Sequence, residues 1–177
     1  MGPNKNNWKV GEIVNLPWTS NTLKSGSSTV YYHFFGSRFL CIREADGEQN
    51  GILVKVLGKT PLEEITMVGG EPFCKDQKDD LFEGKSYSSF RFPTLDALTE
   101  VLQIIRDNPT LKSAFEEAGM HINTESTFWV RESARNHVFQ KKPQFYDATN
   151  GTISHASDNS PRYRITILYF SKDKLIY

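Results

Sequence analysis

The sequence predicts an α+β fold: a mainly antiparallel sheet with a pair of short amphipathic helices in the middle of the chain. Three observations carry this. Runs rich in Val, Ile, Phe and Tyr fill the first third; apolar residues recur at helical spacing between Thr94 and Gly119; strand-like runs then return up to Phe170. Strands, then helices, then strands is not the alternation that builds a parallel α/β sheet.

Taken in order, Glu12-Ile13-Val14-Asn15-Leu16-Pro17-Trp18 reads as a short strand ended by its proline. Val30 to Phe35 and Arg38 to Arg43 flank Gly36-Ser37, which predicts a hairpin with a type II′ turn. Ile52 to Leu57 is a mostly apolar strand closed by Gly58. Residues 59–89 hold Pro61, Gly69-Gly70, Pro72 and the charged stretch Lys75 to Asp80, and read as an irregular connection of the functional or mobile kind. Thr94 is a good N-cap for a helix whose stripe is Leu98, Val101, Leu102 and Ile105. Asn108 can cap a second helix with Pro109 in its first position, a stripe of Leu111, Ala114, Phe115 and Ala118, and Gly119 as its left-handed stop. Thr127 to Val130, Val138-Phe139 and Gln144 to Tyr146 are candidate strands, and Asn150-Gly151 is a turn. In the final strand, Tyr163, Ile165, Ile167 and Tyr169 share one face.

The 21 basic and 21 acidic side chains cancel, and no block of like charge stands out, so bulk electrostatics offers nothing to a nucleic acid. No apolar run approaches the length of a membrane span. Residues 1–7 read as a polar tail or tether and 8–177 as a single domain. Met1 to Asn7 has no apolar core of a signal peptide. Two readings follow: a cytoplasmic protein, or a cell-surface or periplasmic one whose leader or lipid anchor lies upstream. Cys41, within Phe39-Leu40-Cys41-Ile42, is expected to be a buried inert thiol, and Cys74, after Pro72-Phe73, to be exposed. A disulfide between them would require export.

Chemistry is sparse. Gly58-Lys59-Thr60 has the end of a P-loop, but Leu53 stands where the loop needs its first glycine. His33, His121, His137 and His155 form no local ligand pair, so no metal and no cofactor is expected. Glu116-Glu117 lies on the polar side of the second helix and reads as a solvated face. Asp76, Asp79 and Asp80 offer oxygen ligands without the spacing of a calcium loop. They join Trp18 and Trp129, whose rings could stack on a sugar or anchor a protein, as ligand-binding candidates. Asn150-Gly151-Thr152 also fits the N-glycosylation triplet.

One ordering of motifs stands out: Phe90-Arg91-Phe92-Pro93-Thr94, the helix pair ending at Gly119, Phe128-Trp129-Val130-Arg131-Glu132, Asn150-Gly151, and the strand from Arg162 to Phe170. It resembles the C-type-lectin-like domains of bacterial surface proteins, in particular the Fibrobacter-type major paralogous domain family of Bacteroidetes. Arg91, Pro93 and Thr94 match that family's lead into its helix, Phe128 and Trp129 its aromatic pair, and Glu132 the place of its glutamate. Val130-Arg131 stands where the family has small serines and Phe92 where it has leucine. The sugar and calcium triplets of animal C-type lectins are absent. The resemblance implies a lectin-like fold, with Arg91, Pro93, Thr94, Gly119 and Trp129 as structural motif residues and the Trp129 ring buried between helix and sheet. It also implies a non-enzymatic surface or fimbria-associated module that contacts a glycan or protein through loops. Two alternatives remain: a cytoplasmic protein-interaction domain, and a lectin-fold thiol enzyme using Cys41 or Cys74.

Overall fold

The computed structural model describes residues 6–25, 28–75, 90–132, 142–173 and 175–176, with 17–25, 28–37 and 176 described by their main chain alone. Its strands are β1 (Ile13–Ser25), β2 (Ser28–Arg43), β3 (Gly51–Thr60), β4 (Ile65–Val68), β5 (Glu71–Cys74), β6 (Thr127–Val130), β7 (Gln144–Asp147), β8 (Thr152–His155), β9 (Arg162–Phe170) and β10 (Leu175–Ile176). The helices α1 (Leu95–Asp107) and α2 (Thr110–Glu117) lie between β5 and β6. The main sheet has the order β1-β2-β3-β9-β6-β7-β8, with β10 beside β9, and its pairs are antiparallel except β6 with β9. The sheet is therefore mixed, and the α+β class holds.

The helices form where their caps and stripes demand. Thr94 Oγ1 accepts from Ala97 N at 3.3 Å, and Leu98, Val101, Leu102 and Ile105 are buried. The second helix begins one residue later than expected. Pro109 is its N-cap without a side-chain bond, and Asn108 turns its Oδ1 to Thr110 Oγ1 at 2.6 Å. Its end is a left-handed stop at Gly119, φ +77°. Met120 N donates to Phe115 O and Gly119 N to Glu116 O, the paired bonds of a Schellman cap.

Both helices cover one face of the sheet. Leu40, Ile42, Ile52, Val54, Val56, Phe128, Val130, Tyr163 and Ile165 meet Leu98, Leu102, Leu111 and Phe115 in one cluster. Period-two alternation sends the intervening residues to the other face, where Phe39, Cys41, Leu53, Leu168 and Phe170 form a second cluster. Trp129 goes with them, joining Ile65, Cys74 and Phe92 in a third. Its ring is thus not between helix and sheet: Phe128 and Val130, on either side of it, take the helix-facing positions.

The expected hairpin at Gly36-Ser37 is also corrected. The β1–β2 register joins Leu16 to Ser37 and Trp18 to Phe35, so β1 runs past Pro17 and the chain reverses only after Ser25. Among the described residues β1 is an edge strand, where a missing proline N–H need not cost a ladder bond. Within the segment expected to be irregular, β4 and β5 form a hairpin across Gly69 and Gly70. Their φ of +59° and +78° suit the two positive angles of a type I′ turn. Val138-Phe139 and residues 76–89 lie outside the described residues.

Candidate functional site

The densest buried charge lies on the second face, where β5, the chain before α1 and the end of β6 meet. The β4–β5 hairpin carries Glu71 into the interior at 6% exposure. The Arg91 guanidinium forks onto its carboxylate, with Nε at 3.0 and 3.2 Å from the two oxygens and a second nitrogen at 2.5 Å from Oε1. Arg131 Nε lies 3.2 Å from the same oxygen and donates to Phe92 O at 2.8 Å. Arg131 N donates to Pro93 O, Thr94 bridges to Arg131 in parallel, and Thr166 Oγ1 donates to Arg91 O at 3.0 Å. The extended Arg91–Pro93 segment has few ladder partners of its own, so side-chain donors satisfy the Arg91 and Phe92 carbonyls and the Arg131 main-chain N–H that of Pro93. The geometry makes a rigid joint with fixed guanidinium forks.

Trp129 sits at one end of this joint. It is fully buried and donates Nε1–H to Thr60 O at 2.8 Å. The Arg162 guanidinium lies 4.9 Å from its ring and 4.0 Å from that of Phe145, with Nη2 on Asp158 Oδ1 at 2.9 Å. Hydrogen bonds from Ser160 first, and from Arg162, hold the Asp158 carboxyl below the usual carboxylate range. With no exposed ring face, Trp129 is a core anchor and not a stacking platform for a ligand. Trp18 is described by its main chain alone, in β1, and Asp76, Asp79 and Asp80 lie outside the described residues.

The motif residues do converge. Arg91, Pro93, Thr94 and Arg131 share one set of bonds, Trp129 is two residues from it, and Gln144 Nε2 reaches Glu132 Oε1 at 3.2 Å. Gly119 is apart, at the end of α2. A row of exposed polar turns follows the sheet end where Thr60 pairs with Arg162. Glu63 N donates to Asn159 Oδ1 at 3.0 Å, Asn123 N to Tyr163 Oη at 3.1 Å, and Thr149 Oγ1 to Glu125 O at 2.8 Å. At the other end of β3, Asn6 N donates to Lys172 O and Trp8 stacks edge-on against Phe170. Asn6, placed in the tail by composition, is thus tied down beside an open polar cleft of ≈ 350 Å³ lined by Trp8, Arg43, Asp46 and Gln49.

Both cysteines are fully buried and not joined in a disulfide. For Cys74 this reverses the expectation: the β4–β5 hairpin folds inward and takes the thiol into the Trp129 cluster. Burial pushes the Cys41 thiol up to about 12, against the opposing hydrogen bond to the Arg43 carbonyl. Gly58, φ +92°, sits at an irregularity in the β3–β9 register, so Gly58-Lys59-Thr60 ends a strand and does not form the loop between strand and helix that a P-loop needs. His121 and His155 are exposed, and Glu116 and Glu117 form an exposed helix face. Among the described residues, no group of three His, Cys, Asp or Glu side chains is placed to hold a metal ion, and no helix is long and apolar enough to cross a membrane.

Sequence reading missed Glu71 and the Arg162 stack. Gly69-Gly70 between two β-prone runs was the available signal for the first. Nothing local announces that Arg162 will lie on Trp129, 33 residues earlier. Comparison with known proteins finds no family model, no curated protein and no solved structure that matches the chain.

Proposed function

We propose that this chain is a non-enzymatic binding or structural module of a bacterial cell-surface or fimbria-associated protein, meeting a glycan or protein partner through its loops. The observation that carries this reading is the meeting of Arg91, Pro93, Thr94 and Arg131, with Trp129 beside them, at one joint. Those segments, far apart in sequence, are the ones on which the lectin-like resemblance rests. The joint makes a stiff frame, and the exposed turns at Glu63, Asn123, Thr149 and Asn159 offer short polar side chains of the kind that hydrogen-bond sugar hydroxyls or a polar protein rim. Burial of both thiols argues against the thiol-enzyme reading, because that chemistry needs an accessible thiolate.

The test is a glycan and surface-protein array probed with the whole chain and with variants at Glu63, Asn123 and Asn159. Binding that the turn variants weaken would support the reading. A blank array, together with recovery of a strong partner from inside the cell, would replace it with the cytoplasmic protein-interaction domain. Two buried cysteines without a disulfide suit that second reading.

A further inference from the structure

We propose that the β7–β8 turn is a modification site: Asn150-Gly151 is a latent deamidation site that Asp147 holds closed in the folded protein. In an Asn-Gly pair the glycine main-chain nitrogen, once deprotonated, can attack the asparagine Cγ. A Cγ–N bond forms, the Cγ–Nδ2 bond breaks, and ammonia leaves with the transferred proton. The resulting succinimide takes up water and opens to aspartate or isoaspartate. The sum is asparagine plus water giving acid plus ammonia, and water is the sole co-reactant. Asn150 and Gly151 are exposed to water and base, and among the described residues no atom lies within 4 Å of where a Gly151 Cβ would be.

Hydrogen bonds restrain it instead, and all of them end on Asp147. Gly151 N, the required nucleophile, donates to Asp147 O at 2.8 Å. Asn150 Nδ2, the leaving group, donates to Asp147 Oδ2 at 3.0 Å. Oδ1 of the same carboxylate accepts from Thr149 N at 3.0 Å and Asn150 N at 3.4 Å. The turn is pinned in turn to its neighbour by Thr149 Oγ1 on Glu125 O and Ala148 N on Ser126 O. Attack requires the Gly151 proton to leave its carbonyl and the Asn150 amide to leave the carboxylate.

Reaction would reverse the interaction that held the turn. A carboxylate at position 150 would replace a donor with an acceptor opposite Asp147 Oδ2, and like charges would meet. Isoaspartate would also lengthen the main chain by one methylene beside the Asp147–Thr152 pair that starts β8. Since among the described residues β8 is an edge strand paired with β7 alone, its pairing would loosen first.

The experiment incubates the folded chain, the denatured chain, Asp147→Ala and Asp147→Asn at mildly alkaline pH. Peptide mass mapping then follows conversion of Asn150, and isoaspartate is counted enzymatically. The folded chain should react slowest. The folded Asp147→Ala variant should react roughly tenfold faster, the factor expected from freeing the Asn150 amide, one of the three groups bonded to the carboxylate, from a charged acceptor. Equal rates for the folded chain and a folded Asp147 variant would overturn the proposal. Should neither variant fold, the folded and denatured wild-type chains decide it: equal rates there refute any restraint.

Discussion

The two faces of the central strands are covered by different kinds of structure. On one, α1 and α2 lay regular apolar stripes across Leu40, Val54, Phe128 and Ile165. On the other, the cover is a hairpin and extended chain, and there lie all the buried polar side chains among the described residues: Thr60, Glu71, Arg162, Arg164 and Thr166. The difference follows from the backbone. A helix satisfies its own peptide groups and needs to offer only apolar side chains, whereas extended chain brings carbonyls that need donors. Arg131 on Phe92 O and Thr166 on Arg91 O supply them. Regular cover is held by area, and irregular cover by area together with specific polar bonds.

The sharpest way to break this comparison is to remove one ring from each face. Trp129→Ala should cost about 4 kcal/mol, and Phe115→Ala a similar amount, each ring being fully buried. Urea unfolding measures both; a Trp129→Ala loss below that of an exposed-site change would mean that the second face is not a core. Next in size is Glu71→Ala, expected to cost about 3 kcal/mol because it leaves guanidinium groups of Arg91 and Arg131 facing each other in a mostly buried place. On the helix side, Glu100→Gln weakens the half-exposed Arg43–Glu100 contact and should cost under about 1 kcal/mol. Comparable losses from the two would erase the distinction drawn here.

A pH test addresses the Cys41 thiol on the second face. The Cys41 thiol has a folded value of about 12 against an ordinary 9.0, so folding favours its neutral form. Its stabilising effect is complete below pH 9 and is lost as pH rises from 9 towards 12. At pH 10 the loss should be about 1 kcal/mol relative to pH 8, and Cys41→Ala should remove that part of the alkaline slope. An unchanged slope in the variant would show that the thiol does not titrate with unfolding. A comparably small effect belongs to the start of α1: Thr94→Ala, which deletes the bond to Ala97 N, should cost about 1 kcal/mol or less, read as a small shift of the thermal midpoint.

Legible in the sequence alone were the two helices, the Thr94 cap, the Gly119 stop, the alternation of β9 and the turn at Asn150-Gly151, whereas the cap of the second helix shifted from Asn108 to Pro109. Each legible feature is local: a period of 3.6 or 2, a cap three residues from its partner, or a residue type that alone suits a backbone angle. Only the tertiary structure decided the rest. Pro17 reads as an end and is passed over because its strand lies at the sheet edge. Trp129 faces away from the helices because its neighbours Phe128 and Val130 occupy the helix side. Cys74 is buried because a hairpin of weak local pattern folds inward, and the same hairpin delivers Glu71 to Arg91 and Arg131. Those contacts join residues 20 to 60 positions apart, and their choice depends on the partners each surface meets once the sheet has closed.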